Sequence, residues 1–456
     1  MMNDLDTTRQ LVQRGQSSAS AEMERSIASA QSSACAHAFT RTMFEEARHH
    51  AAQPAVARLP LAGLAVSVKD LFDIEGQPTP AGSVALAHAP VARQDAPAVT
   101  RLRTAGAVLI GRSNMVEFAF SGVGTNPHFG TPAAWDGRFG ALPGPALVPG
   151  GSSSGAAISV ATGAAFIGLG SDTGGSLRIP AALNGLVGFK STARLVPTAG
   201  MVPLSPTLDT VGALTRSVRD AVLAHEVLAA RRVRHNPVPL SGWRLAVPGA
   251  LFLESLDSHV AHVFARTLQT LRRAGAHITE MALPETTDVL ALQTGGGLTA
   301  AESYAWHRQL LSQYGPQYDP RVRSRIERGA SMLAADYLDL LRTRQHWMER
   351  MQRQLANVDA LLSPTVPIVA PSIASVAPAR HQDAAQDAER DAEFFRTNAL
   401  LLRNTSVVNL LDGCALSLPC HQQGEWPVGL MLWHTALHDD TVLHIGLRVE
   451  EALARQ

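Results

Sequence analysis

Three short stretches of this 456-residue chain carry side chains suited to chemistry. The first is Ser67-Val68-Lys69-Asp70. Side chains alternate along a strand, so Ala65, Ser67 and Lys69 share one face while Val66 and Val68 share the other. A lysine emerging on a small-residue face has room for neighbours. Burial there disfavours the ammonium form and lowers its pKa, which makes a general base. The ordinary alternative is a strand-end lysine that reaches solvent. Composition weighs against that alternative. Of 39 basic residues only two, Lys69 and Lys190, are lysines, and the other 37 are arginine. Arginine keeps its proton near neutral pH, whereas a buried lysine can lose it.

The second stretch is Pro149–Gly155, PGGSSSG. Its glycines permit a tight turn, and three hydroxyls follow where a helix begins. The third is Gly170–Arg178, GSDTGGSLR, in which Ser176 opens the segment after an Asp-Thr-Gly-Gly turn. Consecutive N–H groups in such a turn can converge into a nest for a negatively charged oxygen. Taken singly, the two turns read equally well as a helix N-cap and an Asx-type turn; their order and separation say more.

Several competing motifs fail. Gly151–Gly155 fits G-x-S-x-G with Ser153 as nucleophile, but that elbow needs an apolar strand before it. The prolines of ALPGPALVPG forbid a central strand there. A P-loop needs Gly before its Lys, and Phe189 precedes Lys190. Thr173 stands where a dinucleotide fingerprint would place its third Gly, and His225-Glu226 lacks the second histidine of a zinc site.

The elements around these stretches follow a helix-to-strand grammar. Leu64–Val68 predicts a strand. Asp95–Ala105 predicts a helix with Pro97 in its first turn, ended by Gly106 and followed by the buried strand AVLIG. The device recurs: His259–Ala274 is amphipathic, Gly275 stops it, and AHITEMAL follows. This is α/β organisation. Residues 1–58 read as helical and polar, most clearly over Phe39–Ala52. Arg231–Gly242 reads as a surface connection before a strand at Arg244–Val247. Leu333–Ala356 predicts a long helix with Tyr337, Leu341, Met348, Met351 and Leu355 as a packing stripe, followed by a strand at Ala360–Ser363. Ser372–Glu393 predicts a mobile loop. Asn404–Pro419 and Pro427–Trp433 predict apolar strands or buried turns, and Asp439–Arg455 a closing helix. We expect one domain over 1–456 with a helix-rich lobe at about 250–355.

Composition narrows the class. A formal net charge of +0 and a pI near 7.3 argue against a broad basic face for nucleic acid. Cys35, Cys414 and Cys420 make no disulfide framework and match no zinc spacing, so a reducing cytoplasm is the default compartment. The N-terminus lacks the apolar core of a signal peptide. Phe139–Ser171 contains no charged residue, but its prolines and glycines exclude a membrane span, so it is expected in the core.

The chain resembles the amidase signature family. The likeness runs through GLAVSVKDLFDIEG, RTAGAVLIGRSNMVEFAF, GTNPHFGTPAAW, PGGSSSG, GSDTGGSLRIPAA and GLVGFKST, and resumes at DALLSPTVPIVAP, ALSLPC and PVGLMLW. It implies a large mixed central sheet flanked by helices. It also implies a Ser–cis-Ser–Lys triad, here Ser176, Ser152 and Lys69, with the N–H groups of Thr173, Gly174, Gly175 and Ser176 as oxyanion hole. Lys190 falls in a structural segment, and no metal or organic cofactor is implied. The expected activity is hydrolysis of a small-molecule amide, without a nucleic-acid or membrane partner; a homodimer is compatible. The alternative is the glutamine-hydrolysing component of a glutamine-dependent tRNA amidotransferase. Such components bind glutamine through an acid upstream of the VNL segment, and no acid stands between Phe394 and Asn409. The stretch GRFGALPGPALV before Pro149 is longer than is common in the family and is expected at the pocket mouth. Ser121–Phe129 resembles the loop beside the substrate amide.

Overall fold

The computed structural model describes residues 3–234, 236–378 and 384–455. Eleven strands form one mixed sheet. In chain order they are β1 (Phe39–Thr42), β2 (Ala65–Lys69), β3 (Val108–Ser113), β4 (Ile167–Asp172), β5 (Val187–Lys190), β6 (Thr210–Thr215), β7 (Arg244–Pro248), β8 (His277–Met281), β9 (Ala360–Pro364), β10 (Cys414–Pro419) and β11 (Gly429–His434). In space they run β1-β3-β2-β4-β6-β5-β10-β11-β9-β7-β8. β2 is parallel to both β3 and β4, and β7 to both β8 and β9; the remaining neighbours are antiparallel. Strands buried on both faces are mostly small and apolar, and β2, β3 and β4 are so until their ends, where Lys69, Arg112 and Asp172 stand. The half-exposed edges, β1 and β8, instead carry Arg41, His277 and Glu280, charges that discourage further strand pairing.

The two helix-glycine-strand units fold as expected. Helices Pro97–Thr104 and Ser258–Arg273 lead to Gly106 and Gly275, at φ +90° and +93°, a backbone region that glycine enters without a Cβ penalty. The uncharged stretch is core only from Leu147 onward: every residue of helix Ser154–Ala161 and of β4 is buried, whereas residues 139–146, with their prolines and glycines, are exposed or half-buried. In helix Ala334–Leu355, Met351 and Leu355 are buried, and Tyr337, Leu341 and Met348 pack against the same cluster.

Three expectations change. Phe39–Ala52 is not one helix: β1 pairs with β3, and helix Phe44–Ala51 follows. Ser372–Glu393 is not a loop throughout. Ile373–Val376 is a helical turn, and Ala384–Leu410 is one helix, with 379–383 outside the described residues. The alanines favour a helix, and a distant arginine ties it down. Arg321 donates to Val376 O, Ala377 O and Asp391 Oδ1 at 2.7, 2.8 and 2.6 Å. Asn404–Leu410 accordingly continues that helix, and only Cys414–Pro419 is strand.

This topology builds a shared edge. β2 and β4 run side by side in the same direction, with Val68 opposite Leu169. Lys69 ends one and Ser171–Asp172 end the other. Carboxyl ends of adjacent parallel strands are where α/β sheets place ligands.

Candidate active site

Lys69 is wholly buried, and its Nζ donates to Ser152 Oγ at 2.7 Å and to Ser171 Oγ at 2.8 Å. It forms no ion pair among the described residues. Burial pulls its pKa down to about 7, against the raising pull of Asp172 and Asp209. The ammonium form has lost water and gained only hydroxyl partners, so the neutral amine is populated near pH 7.

Ser152 is fixed from both sides. The Gly151–Ser152 peptide is cis. Gly151 N donates to Gly122 O at 2.8 Å, and Val116 N donates to Ser152 O at 3.1 Å. A Cβ on Gly151 would meet Gly124 N at 2.8 Å and Ser121 O at 2.9 Å, so a side chain there would displace the loop that holds the serine. Ser121 Oγ and Gly122 N in turn donate to Asn398 Oδ1 at 3.0 and 2.9 Å. The 121–129 loop therefore packs directly on the serine turn.

Ser176 closes the loop that leaves β4 and precedes helix Arg178–Leu183. Ser176 is buried apart from 4% of its surface, and among the described residues nothing shares a hydrogen bond with its Oγ. Nor does any described group accept from the N–H of Thr173, Gly174, Gly175 or Ser176. Thr173, Gly175 and Ser176 are buried and Gly174 is half-buried, so these four successive N–H groups lie at the carboxyl end of β4 without an acceptor among the described residues. The carbonyl side of the loop is tied instead: Thr405 Oγ1 donates to Gly174 O at 2.6 Å, and Ile179 N to Gly175 O at 2.8 Å. Gly175 has φ +140°, and a Cβ on it would lie 2.2 Å from Thr405 Oγ1, so both backbone and space demand glycine.

A buried ion pair forms the base of the loop. Arg178 Nε and Nη2 donate to Asp172 Oδ2 and Oδ1 at 3.0 and 2.9 Å, with both side chains fully buried. Asn409 Nδ2 adds 2.8 Å to Oδ1, and Leu177 N adds 3.1 Å to Oδ2. Burial alone would raise Asp172, but the Arg178 charge and these hydrogen bonds outweigh it and bring it to about 2. Breaking one partner of such a pair costs about 3–5 kcal/mol, because the other charge is stranded.

Comparison with known proteins settles the family. The amidase family profile matches residues 22–443. The chain belongs to the amidase family. A 2-amino-5-chloromuconic acid deaminase of Comamonas testosteroni is 35% identical over 402 residues, covering 87% of this chain and 83% of that protein. A component of the glutamyl-tRNA(Gln) amidotransferase of Methylacidiphilum infernorum is 31% identical over 435 residues, covering 87% and 83%. A crystal structure of an amidase superposes with a TM-score of 0.85 at 31% identity, covering 98% of this chain and 99% of that one.

In this amidase Lys69, Ser152 and Ser171 meet at the shared end of β2 and β4, and the Thr173–Ser176 loop leaves β4 two residues beyond Ser171. Lys190 does not join them: its buried Nζ donates to Ser191 O and Gly413 O at 3.0 and 2.6 Å. The long stretch before Pro149 runs against 371–373, where Val148 N donates to Pro371 O at 2.9 Å and Ile373 N to Ala146 O at 2.8 Å. Sequence reasoning missed Ser171, Asp172, Arg178, Asp209 and Thr405. One signal was available: the uncharged run ends in Asp172, and the next charge is Arg178, an opposite pair inside a buried segment. It also missed Arg325, a buried guanidinium lying 5.0 Å from the Phe120 ring centroid, 5.6 Å from that of Phe394 and 6.0 Å from that of Phe395. Its Nε donates to Arg321 O at 3.0 Å, and its buried Nη2 has no partner among the described residues.

Among the described residues no helix is long and apolar enough to cross a membrane.

Proposed function

We propose that this amidase hydrolyses a small carboxylic amide through an acyl-enzyme on Ser176, with Ser152 as relay and neutral Lys69 as base. Ser176 Oγ attacks the carbonyl carbon, and its proton passes through the Ser152 hydroxyl to Lys69 Nζ. The carbonyl oxygen becomes an oxyanion held by the N–H groups of Thr173, Gly174, Gly175 and Ser176. Collapse breaks the C–N bond, and the proton returns through Ser152 to the leaving amine. Water then attacks the Ser176 ester by the same relay, releasing the acid and restoring the serine. Each oxyanion donor is worth about 10²–10³ in rate. The observation that carries this reading is the 2.7 Å contact with Ser152 of a buried Lys69 that has no ion-pair partner among the described residues.

The pH profile tests the base. Lys69 is lowered to about 7, and only its unprotonated form accepts a proton. The rate kcat/KM is expected to rise as pH climbs through about 7 and to level above it. A profile flat from about pH 6 to about pH 8 would contradict a lysine base with that pKa.

Arg325 supports an anionic acyl part. A guanidinium stays charged even where burial, partly offset by Asp319, lowers it to about 10, and its buried Nη2 has no hydrogen-bond partner among the described residues. Phe120, under its plane, precedes the loop that holds Gly151. A carboxylate on the substrate would complete it, and the Comamonas testosteroni relative is named for an acid. Succinamic acid and butyramide, read by ammonia release, separate the cases. Arg325→Gln is expected to raise KM for succinamic acid about tenfold or more and to leave butyramide nearly unchanged. Equal losses on both would remove the recognition role.

The tRNA amidotransferase reading rests on relatives such as the Methylacidiphilum infernorum protein. Helix Ala384–Leu410 offers no acid from Phe394 to Asn409 for the amine of glutamine. Strong glutamine turnover that appears only with partner chains would favour that reading.

A further inference from the structure

Asp209 lies outside the triad and the oxyanion loop, yet it joins them to the rest of the molecule. It is buried just before β6. Its Oδ1 accepts from Thr173 Oγ1 at 2.5 Å, and its Oδ2 accepts from Leu204 N and Ser205 N at 3.0 and 3.2 Å. No cation pairs with it among the described residues. The 204–208 turn is itself anchored. Ser205 Oγ and Thr207 N donate to Glu302 Oε2 at 2.7 and 3.0 Å, and Tyr337 OH donates to Glu302 Oε1 at 2.8 Å. Glu302 belongs to helix Gly297–Tyr314.

The oxyanion loop has three side-chain anchors. Asp209 holds Thr173, Thr405 holds Gly174 O, and Asp172 holds Leu177 N. Two glycines lie between the first anchor and Ser176, so the backbone there does not hold its own direction. Misplacement by about 1 Å can cost about 10²-fold in rate.

We propose that Asp209 is a positioning residue of the oxyanion hole, which aims the N–H groups of the Thr173–Ser176 loop by fixing the Thr173 hydroxyl. The proposal rests on the Ser176 acyl-transfer reading. The rival role is a pin for the 204–208 turn alone. Thr173 separates them, because losing its hydroxyl leaves the hydrogen bonds of Asp209 to Leu204 N and Ser205 N in place.

The test is a double-mutant cycle of Asp209→Asn and Thr173→Val, read by inactivation with a fluorophosphonate probe, whose phosphoryl oxygen enters the same hole. Each single variant is expected to lower kinact about 10–100-fold with KI within about threefold. The double variant should be no worse than the worse single, because both break one connection. Thr173→Ser, which keeps the hydroxyl, should recover most of what Thr173→Val loses. Multiplicative losses in the double variant would overturn the proposal, as would an unchanged kinact in Thr173→Val. If Asp209→Asn does not fold, the Val and Ser pair at Thr173 decides: equal losses in both overturn it. Wild-type protein left unlabelled at Ser176 would remove the acyl-transfer reading and this proposal together. Labelled wild type with a multiplicative cycle would remove only the role of Asp209.

Discussion

Ser176→Ala is expected to abolish turnover while leaving the fold in place. In the proposed mechanism the hydroxyl oxygen forms the acyl bond, and the neighbouring serines are held elsewhere. Ser152 Oγ is held by Lys69 at 2.7 Å, and Ser153 Oγ donates to Ser171 O at 3.4 Å. In serine hydrolases, loss of the nucleophile costs about 10⁶ in kcat, with residual catalysis coming from the oxyanion site. The substitution should be structurally quiet. Ser176 Oγ shares no hydrogen bond with a described residue, so its removal strands no partner. Ammonia release should fall to background while the thermal midpoint stays within a degree or so of wild type. Near-wild-type turnover in this variant would sink the assignment.

Lys69→Arg is expected to be as damaging as Lys69→Ala. If a positive charge near Ser152 were the requirement, arginine would supply it. A base must instead lose its proton, and guanidinium does not do so near neutral pH. Arginine is also bulkier and bears its charge permanently at a position with no exposed surface and no carboxylate in ion-pair contact. General-base loss costs about 10²–10⁴ in rate, so both variants should fall at least that far. Substantial activity in Lys69→Arg, with an unchanged acid limb of the pH profile, would refute a neutral-base role.

Much of the molecule was legible because the signals were local. Alternation put Ser67 and Lys69 on one face, Gly106 and Gly275 marked two helix ends, and the uncharged run marked the core from Leu147 onward. Lysine scarcity pointed correctly to burial, since both lysines are buried. It did not discriminate between them; partners do. Lys69 meets two hydroxyls, whereas Lys190 meets two backbone carbonyls. The illegible parts depend on distant residues. Thr405, Asn409 and Asp209 reach the 172–178 loop from far along the chain, and no spacing in one sequence links them. Ala384–Leu410 lacks a continuous apolar stripe: Arg321 fastens it at Asp391, and its last turns are buried against the sheet and the 172–178 loop. Its periodicity therefore resembled a loop.

The most direct measurement is intact-mass and peptide mapping after treatment with a fluorophosphonate. Proton acceptance by neutral Lys69 should make Ser176 the attacking oxygen, so one adduct is expected, on the peptide containing Ser176. It should form faster as pH rises through about 7 and be absent in Ser176→Ala. An adduct on Ser152 or Ser153, or folded wild-type protein that takes no label at any pH, would contradict the account.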